Sequence, residues 1–340
     1  LAAYEEQAER WLEGCRAGDA QVIELFRLHH TRATPLDTAH ARLALARWYC
    51  FQDWRRHAEW TDAVAQARSP VALFEAAVEA VIDGDVSTLE RLLSEHPELA
   101  RARSTLVTKH DPAVHAATLL HYLGANGVED WRQRSPKNAV DVANLLLEAG
   151  AEVDALAGMY GGQCTTMSML VSSSPPAEVG VQVPLVETLL DHGASVEARG
   201  TGAWTSPLMT ALAFGFADAA EALARRGARV DTVAAAAGLG RLAEARALLG
   251  AASEEDRHRA LALAAQHGHV EIVRLLLDAG EDTDRYTSQG NHAHSTPLHQ
   301  AAWSGHDAVV RLLVERGARL DIKDTIYEGT PLRWAEHGGR

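Results

Sequence analysis

The chain has 340 residues, of which 47% are hydrophobic and 23% charged, close to a soluble globular average, so wholesale disorder is excluded. A formal charge of −14 repels phosphate backbones and excludes nucleic acid as a general partner. No apolar run approaches the roughly 18 residues a membrane helix needs, so no membrane association is expected. The length allows about two globular domains or one elongated array. Aromatics are only 6% and alanine and leucine dominate the apolar fraction, which favours helices over sheets. The 17 histidines are unusually many for this length.

The chain opens Leu1-Ala2-Ala3-Tyr4-Glu5-Glu6, with no Met and with neither a charged n-region nor an apolar h-region. A trimmed fragment without a signal peptide is the expectation. Residues 1–68 hold Trp11, Trp48, Trp54 and Trp60, half of the eight tryptophans. Ala8 to Phe26 carries apolar residues at helical spacing, broken at Gly18-Asp19. A helical N-terminal cap is predicted over 1–68, followed by a second region over 69–340. The cysteines, Cys15, Cys50 and Cys164, are odd in number and far apart, so no disulfide framework is implied and a cytoplasmic, reducing setting is expected.

The second region repeats itself. Ala264 to Gly280 and Ala301 to Gly317 both read A-A-x-x-G-H-x-x-x-V-R-L-L-x-x-x-G. Paired alanines allow a short inner helix to pack closely, and the glycine permits a tight turn. The V-x-x-L-L spacing is one apolar face of a second helix, closed by the last glycine. Weaker copies come before these, at Gly84-Asp85 with Leu92-Leu93, at Leu145 to Ala151, at Leu189 to Ala194, at Gly215 with Gly227-Ala228, and at Gly240 with Leu248-Leu249-Gly250. A second signature opens several units: Thr296-Pro297-Leu298-His299 and Thr330-Pro331-Leu332-Arg333, with looser forms at Ser206-Pro207-Leu208-Met209 and Thr118-Leu119-Leu120-His121.

These units resemble the ankyrin repeat, with its T-P-L-H opening and period of about 33 residues. The resemblance covers roughly residues 70–340 and implies an all-α, ankyrin-repeat α-solenoid with β-turn fingers, of about seven units plus a partial last one. The stretch Ala39 to Trp54 resembles the leader that precedes ankyrin arrays in many bacterial proteins, with His40 where Gln is usual and Cys50 where Gly is usual. The resemblance also implies that the T-P-L-H histidine orders neighbouring units by hydrogen bonding. A protein or peptide partner bound on the concave face follows from the same resemblance.

Departures from the period mark surface loops, where specific contacts concentrate. The terminal glycines are widely spaced from Gly150 to Gly193 and closely spaced from Gly227 to Gly250. Three fingers read as enlarged, near 101–116, 152–164 and 281–295, and two inter-helix turns, 127–138 and 171–183, do so as well. Long fingers around a short unit predict a pocket rather than a flat groove. Tyr160, Trp204, Tyr286, His292, His294, Trp303 and Tyr327 are the expected contacts, because aromatic and imidazole side chains supply recognition area.

A second reading stays open beside that one: an enzyme that holds a small molecule in a pocket closed by the fingers. His110, Asp111 and His115 in the first finger, with His121, supply the histidine and carboxylate that acid–base chemistry uses. The bland alternative is loop polarity around Pro112, and for His121 a repeat-ordering role. In His292-Ala293-His294 two imidazoles point to one side of an extended finger and make half of a metal site, with His299 or Asp284 as a third ligand. The alternative there is a solvated hairpin. No cofactor is expected, and a divalent metal is left open. Cys164 sits at an inner-helix start, where a lowered thiol pKa would make a nucleophile, and is otherwise a packed cysteine.

Overall fold

The computed structural model describes residues 1–29, 36–198, 200–202, 205–287 and 292–339. The chain divides into two compact units, one of residues 1–194 with 200–203, the other of residues 195–199 with 204–340.

The first unit begins with α1 (Ala2–Arg16), α2 (Ala20–His29), α3 (Thr38–Trp48) and α4 (Trp54–Ala65). Ala8 and Leu12 of α1 meet Phe26 of α2 and Ala41, Ala44 and Leu45 of α3 in one core, with Trp11 and Trp54 packed against it. Helix pairs follow: α5 (Pro70–Asp83) with α6 (Val86–Glu95), then α7 (Leu119–Gly124) with α8 (Ala139–Glu148). A hairpin of β1 (Ala157–Met159) and β2 (Gly162–Cys164) pairs antiparallel, Ala157 opposite Cys164. It leads into α9 (Thr166–Leu170), a short α10 (Ser174–Glu178) and α11 (Gln182–Asp191). The long 152–164 finger is therefore a true hairpin, and the long 171–183 turn contains a helix started by Pro175-Pro176.

The second unit alternates inner and outer helices: α12 (Pro207–Ala213), α13 (Ala217–Arg225), α14 (Val233–Gly238), α15 (Leu242–Leu249), α16 (Glu254–Gln266), α17 (Val270–Asp278), α18 (Pro297–Ser304), α19 (Asp307–Glu315) and α20 (Pro331–His337). Inner helices pack in succession, α14 on α16, α16 on α18 and α18 on α20, while α15, α17 and α19 form the outer row. Ala260 to Ala265 on α16 are wholly buried, which is why an inner helix is built from alanine and leucine. The outer helices bury one stripe each, Ile272, Val273 and Leu276 on α17 and Val309, Leu312 and Leu313 on α19. The helical repeat architecture expected from the sequence is what forms, with the β1–β2 hairpin as one of its fingers. No helix among the described residues is long and apolar enough to cross a membrane.

The T-P-L-H opening resolves into a helix start. Thr296 is the N-cap of α18, Pro297 occupies the first turn, and His299 accepts the Thr296 backbone N–H through Nδ1 at 3.2 Å. His299 Nε2 then donates to the Gly329 carbonyl of the following finger at 3.1 Å, so the histidine ties one unit to the next. The G-H pair of the other signature works by contact. His269 Nε2 donates to the Gly238 carbonyl at 3.0 Å, and a Cβ placed on Gly240 would meet the His269 ring at 2.7 Å. His306 repeats the arrangement one unit later, on the Gln266 carbonyl at 2.9 Å and over Gly268. Each glycine thus adopts positive φ, +79° at Gly268, and also clears room for the next unit's imidazole. Gly268→Ala is expected to cost about 1–3 kcal/mol, from backbone strain plus displacement of His306, and urea unfolding measures it. A change below a few tenths of a kcal/mol would show that the imidazole contact carries no weight.

Candidate binding site

The last three inner helices of the second unit and their fingers enclose a cavity of about 580 Å³. Its wall is aromatic: Phe214 just after α12, His292 and His294 in one finger, Trp303 on α18, Tyr327 in the last finger, and Trp334 with His337 on α20. Gln266, Gln300, Arg333 and Gly329 complete the lining.

Local chemistry fixes these rings. Asp324, only 2% exposed, accepts the backbone N–H groups of Ile326 at 2.9 Å, Tyr327 at 2.6 Å and Gly329 at 2.8 Å, and the Trp334 indole N–H at 3.0 Å. Burial opposes the carboxylate, but these donors outweigh it and hold its pKa down at about 2. One side chain therefore sets both the finger carrying Tyr327 and the indole plane of Trp334. The Thr325 N–H donates to the His294 carbonyl at 3.0 Å and joins the two fingers. Trp334 lies edge to face with Trp303 at 6.0 Å and with His299 at 5.2 Å between ring centroids. His294 sits 5.5 Å from Trp334 and 6.1 Å from Tyr327. Edge and tilted contacts of this kind hold ring orientations without filling the cavity.

The far wall is built by hydrogen bonds that run past α14 to the end of α12. Gln266 reaches the Ala213 carbonyl at 3.0 Å, His267 the Leu212 carbonyl at 2.9 Å, and His292 the Ala213 carbonyl at 2.9 Å. Two of these donors satisfy the Ala213 carbonyl at the end of α12, and His267 adds to the Gly215 N–H already on Leu212. Burial lowers the pKa of His292 and keeps its ring neutral, with the Ala213 carbonyl opposing in part.

Of the contacts expected from the sequence, His292, His294, Trp303 and Tyr327 line this cavity. Tyr286 is held by its hydroxyl on the Lys323 carbonyl at 2.6 Å and is outside the lining. Tyr160 belongs to the first unit, where its hydroxyl donates to Asn126 Oδ1 at 2.8 Å. Trp204 lies outside the described residues. Trp334, Arg333 and Phe214 line the cavity beyond the contacts expected from the sequence. The signal for the first two was the Thr330-Pro331-Leu332 opening itself, which places the residues that follow it on an inner helix.

As a metal pair, His292 and His294 have ring centroids 5.9 Å apart, and the His292 Nε2 is directed to a carbonyl. The candidate third ligands are committed elsewhere, His299 by both ring nitrogens and Asp284 Oδ1 by the Arg319 N–H at 2.9 Å.

The acid–base candidates fall in the first unit. His110, Asp111 and His115 line a cavity of about 130 Å³ with Pro112, Gly158, Met159 and Tyr160. That volume is below the roughly 300–1,000 Å³ of small-molecule sites and suits an ion or a few waters. His121 does not join them: it is wholly buried at the start of α7, where Nδ1 accepts the Thr118 N–H at 3.2 Å in a capping box. Both His115 nitrogens are engaged, Nδ1 by the Ala117 N–H at 3.1 Å and Nε2 with Glu129 Oε1 at 2.9 Å.

Glu129 belongs to a buried charge cluster that sequence reasoning missed. Arg132, 1% exposed, pairs with Glu75 of α5, with Glu79 at 3.0 Å and with Glu129 at 3.6 Å. Its guanidinium also lies 4.2 Å from the Trp131 ring centroid. Burial opposes the Glu129 charge, but the His115 hydrogen bond and Arg132 prevail and lower its pKa. At Glu75 burial prevails over Arg132 and the pKa rises. The available sequence signal was a pair of acidic residues, Glu75 and Glu79, inside the apolar run Val71 to Ile82. Cys164 is buried as well, and burial pushes its thiol up to about 12, opposite to an activated nucleophile.

Residues 232–324 match the family model described as ankyrin repeats, in three copies. Among solved structures, the crystal structure of the human ASB11 ankyrin repeat domain is similar at 22% identity, with a TM-score of 0.37, over 80% of this chain and 96% of that one.

Proposed function

This is an ankyrin-repeat protein, and from that premise we propose that it is a binding module which grips a protein or peptide partner in the cavity at Trp303, Tyr327 and Trp334. Ankyrin stacks present extended surfaces on their inner-helix side and generally serve protein–protein interaction. The observation that carries the reading is the aromatic wall, with Trp303 44% and Tyr327 74% exposed and ready to be covered.

Among the described residues the lining holds no carboxylate, and its one fixed charge is Arg333. The whole chain at −14 repels strongly acidic partners. Both facts favour a near-neutral segment that inserts an aromatic or branched apolar side chain and offers a backbone carbonyl or a single carboxylate to Arg333. Trp, Tyr and Arg are the residue types that dominate binding energy at such centres. The free state of Cys15, Cys50 and Cys164 supports a reducing, cytoplasmic setting.

Selection of peptides from a displayed random library on the full chain tests the reading. Selected peptides are expected to share an apolar anchor and to quench Trp303 and Trp334 fluorescence. Trp334→Ala and Tyr327→Ala are each expected to weaken binding by about 2 kcal/mol or more, roughly 30-fold. Binders whose affinity ignores both substitutions would place the interaction elsewhere on the molecule.

A further inference from the structure

We propose that Cys50, His110 and Asp130 form a binding site for a divalent transition metal of the zinc class. Three segments distant in sequence bring one thiol, one imidazole and one carboxylate together, with all three ligand atoms within 4.8 Å of one another. Tetrahedral zinc with bonds of about 2.0–2.3 Å places its ligand atoms roughly 3.3–3.8 Å apart. The cluster therefore needs to draw in by only about 1 Å, within reach of side-chain rotation at His110 and Asp130, which are both exposed.

The backbone positions these segments independently of any metal. Phe51 and Thr108 form an antiparallel bridge, the Gln52 N–H donates to the Val107 carbonyl at 3.1 Å, and the Lys109 N–H donates to the Cys50 carbonyl at 2.8 Å. Beneath the bridge, Ala46, Phe51 and Leu106 share a small core. Asp130 opens the short 3-10 turn Asp130–Arg132, whose Arg132 is anchored on Glu75 and Glu129. Its own N–H is directed at the Cys50 sulfur, the kind of outer contact that steadies a thiolate ligand. Cys50 holds a left-handed backbone, φ +64°, where glycine is the usual occupant.

Charge and softness agree. A thiolate and a carboxylate neutralise a dication, and imidazole adds a neutral donor; sulfur with nitrogen selects zinc-class ions over magnesium or calcium. Lys109 Nζ lies 3.6 Å from Asp130 Oδ2, and a carboxylate's second oxygen stays available to the metal. Without metal, burial pushes the Cys50 thiol up to about 11, with Asp130 and Glu129 adding to it and Lys109 opposing. On binding, the S–H bond breaks, the sulfur–metal bond forms and the proton leaves to solvent, so affinity rises with pH. His110 and Asp130 also line the 130 Å³ cavity, from which a water would complete a three-ligand set.

Cobalt(II) added to the reduced full-length chain reports directly on thiolate ligation. The expected result is one cobalt per chain, displaced by one zinc, with a thiolate-to-cobalt charge-transfer band. The band should vanish in Cys50→Ser and persist in Cys164→Ser and Cys15→Ser. His110→Ala and Asp130→Asn alter exposed side chains and leave the fold intact by circular dichroism. Each should weaken binding by more than the roughly 10–100-fold cost of losing an outer contact. No band in the wild-type chain, or a band that survives Cys50→Ser or both exposed-ligand variants, would overturn the proposal.

Discussion

Arg132→Met is expected to destabilise the first unit by about 3–5 kcal/mol, because it strands two carboxylates in the interior. Glu129 is 1% and Glu75 5% exposed, so neither can turn to water when the guanidinium is removed. The aliphatic stem of Met keeps the volume, so the loss reports charge rather than packing. Adding Glu75→Gln to Arg132→Met should recover part of the loss, since burial already raises the pKa of Glu75 and the amide needs no counter-ion. Urea denaturation of the four chains in this cycle gives the coupling directly. A single-variant loss below about 1 kcal/mol would mean that the cluster is open to solvent.

Acid is expected to begin destabilising this unit as soon as the pH falls below about 6.5, above the range in which ordinary carboxylates titrate. Burial drives both His57 and His121 down to about 4, and each is wholly buried. His57 is enclosed by rings, stacked on Phe51 at 4.6 Å and edge-on to Tyr4 at 4.4 Å. In the unfolded chain both imidazoles take up a proton near pH 6.5. The stability they allow is therefore complete above about pH 6.5 and is lost as pH falls toward about 4, on the order of 3 kcal/mol for each. The urea midpoint should drop steeply across that window, and His57→Phe, which cannot be protonated, should make the drop shallower. A flat profile from about pH 6.5 to 4 would contradict burial of neutral rings.

The repeat architecture was legible because each unit repeats a local signal. Thr296-Pro297-Leu298-His299 is a cap, a turn and a tie written in four adjacent residues. Half of the aromatic cavity was legible for the same reason, since Trp303 and Tyr327 flank recognisable openings. The rest depends on contacts between distant residues. Glu129 and Arg132 occupy a turn that composition marks as a surface loop, yet they face inward because Glu75 is there to receive them. Cys50 and Asp130 each look ordinary alone, and their relation to His110 exists only once the bridge at Phe51 and Thr108 has formed. His292 read as a ligand of a finger tip, whereas its Nε2 reaches past α14 to the Ala213 carbonyl at the end of α12.

The glycine–histidine contact has a bearing on how such a chain can grow. Each unit presents a cleared edge to its successor and an imidazole to its predecessor, as at Gly240 with His269 and Gly268 with His306. A tandem copy of the segment between those pairs would find a matching edge on both sides and dock without new side chains. The Gly215 to Gly240 step lacks the matching piece, with Arg241 standing at the histidine position and pairing instead with Glu221. Gene duplication within 240–306 therefore meets little structural resistance, while a copy that crosses Arg241 would carry an edge that fits neither neighbour.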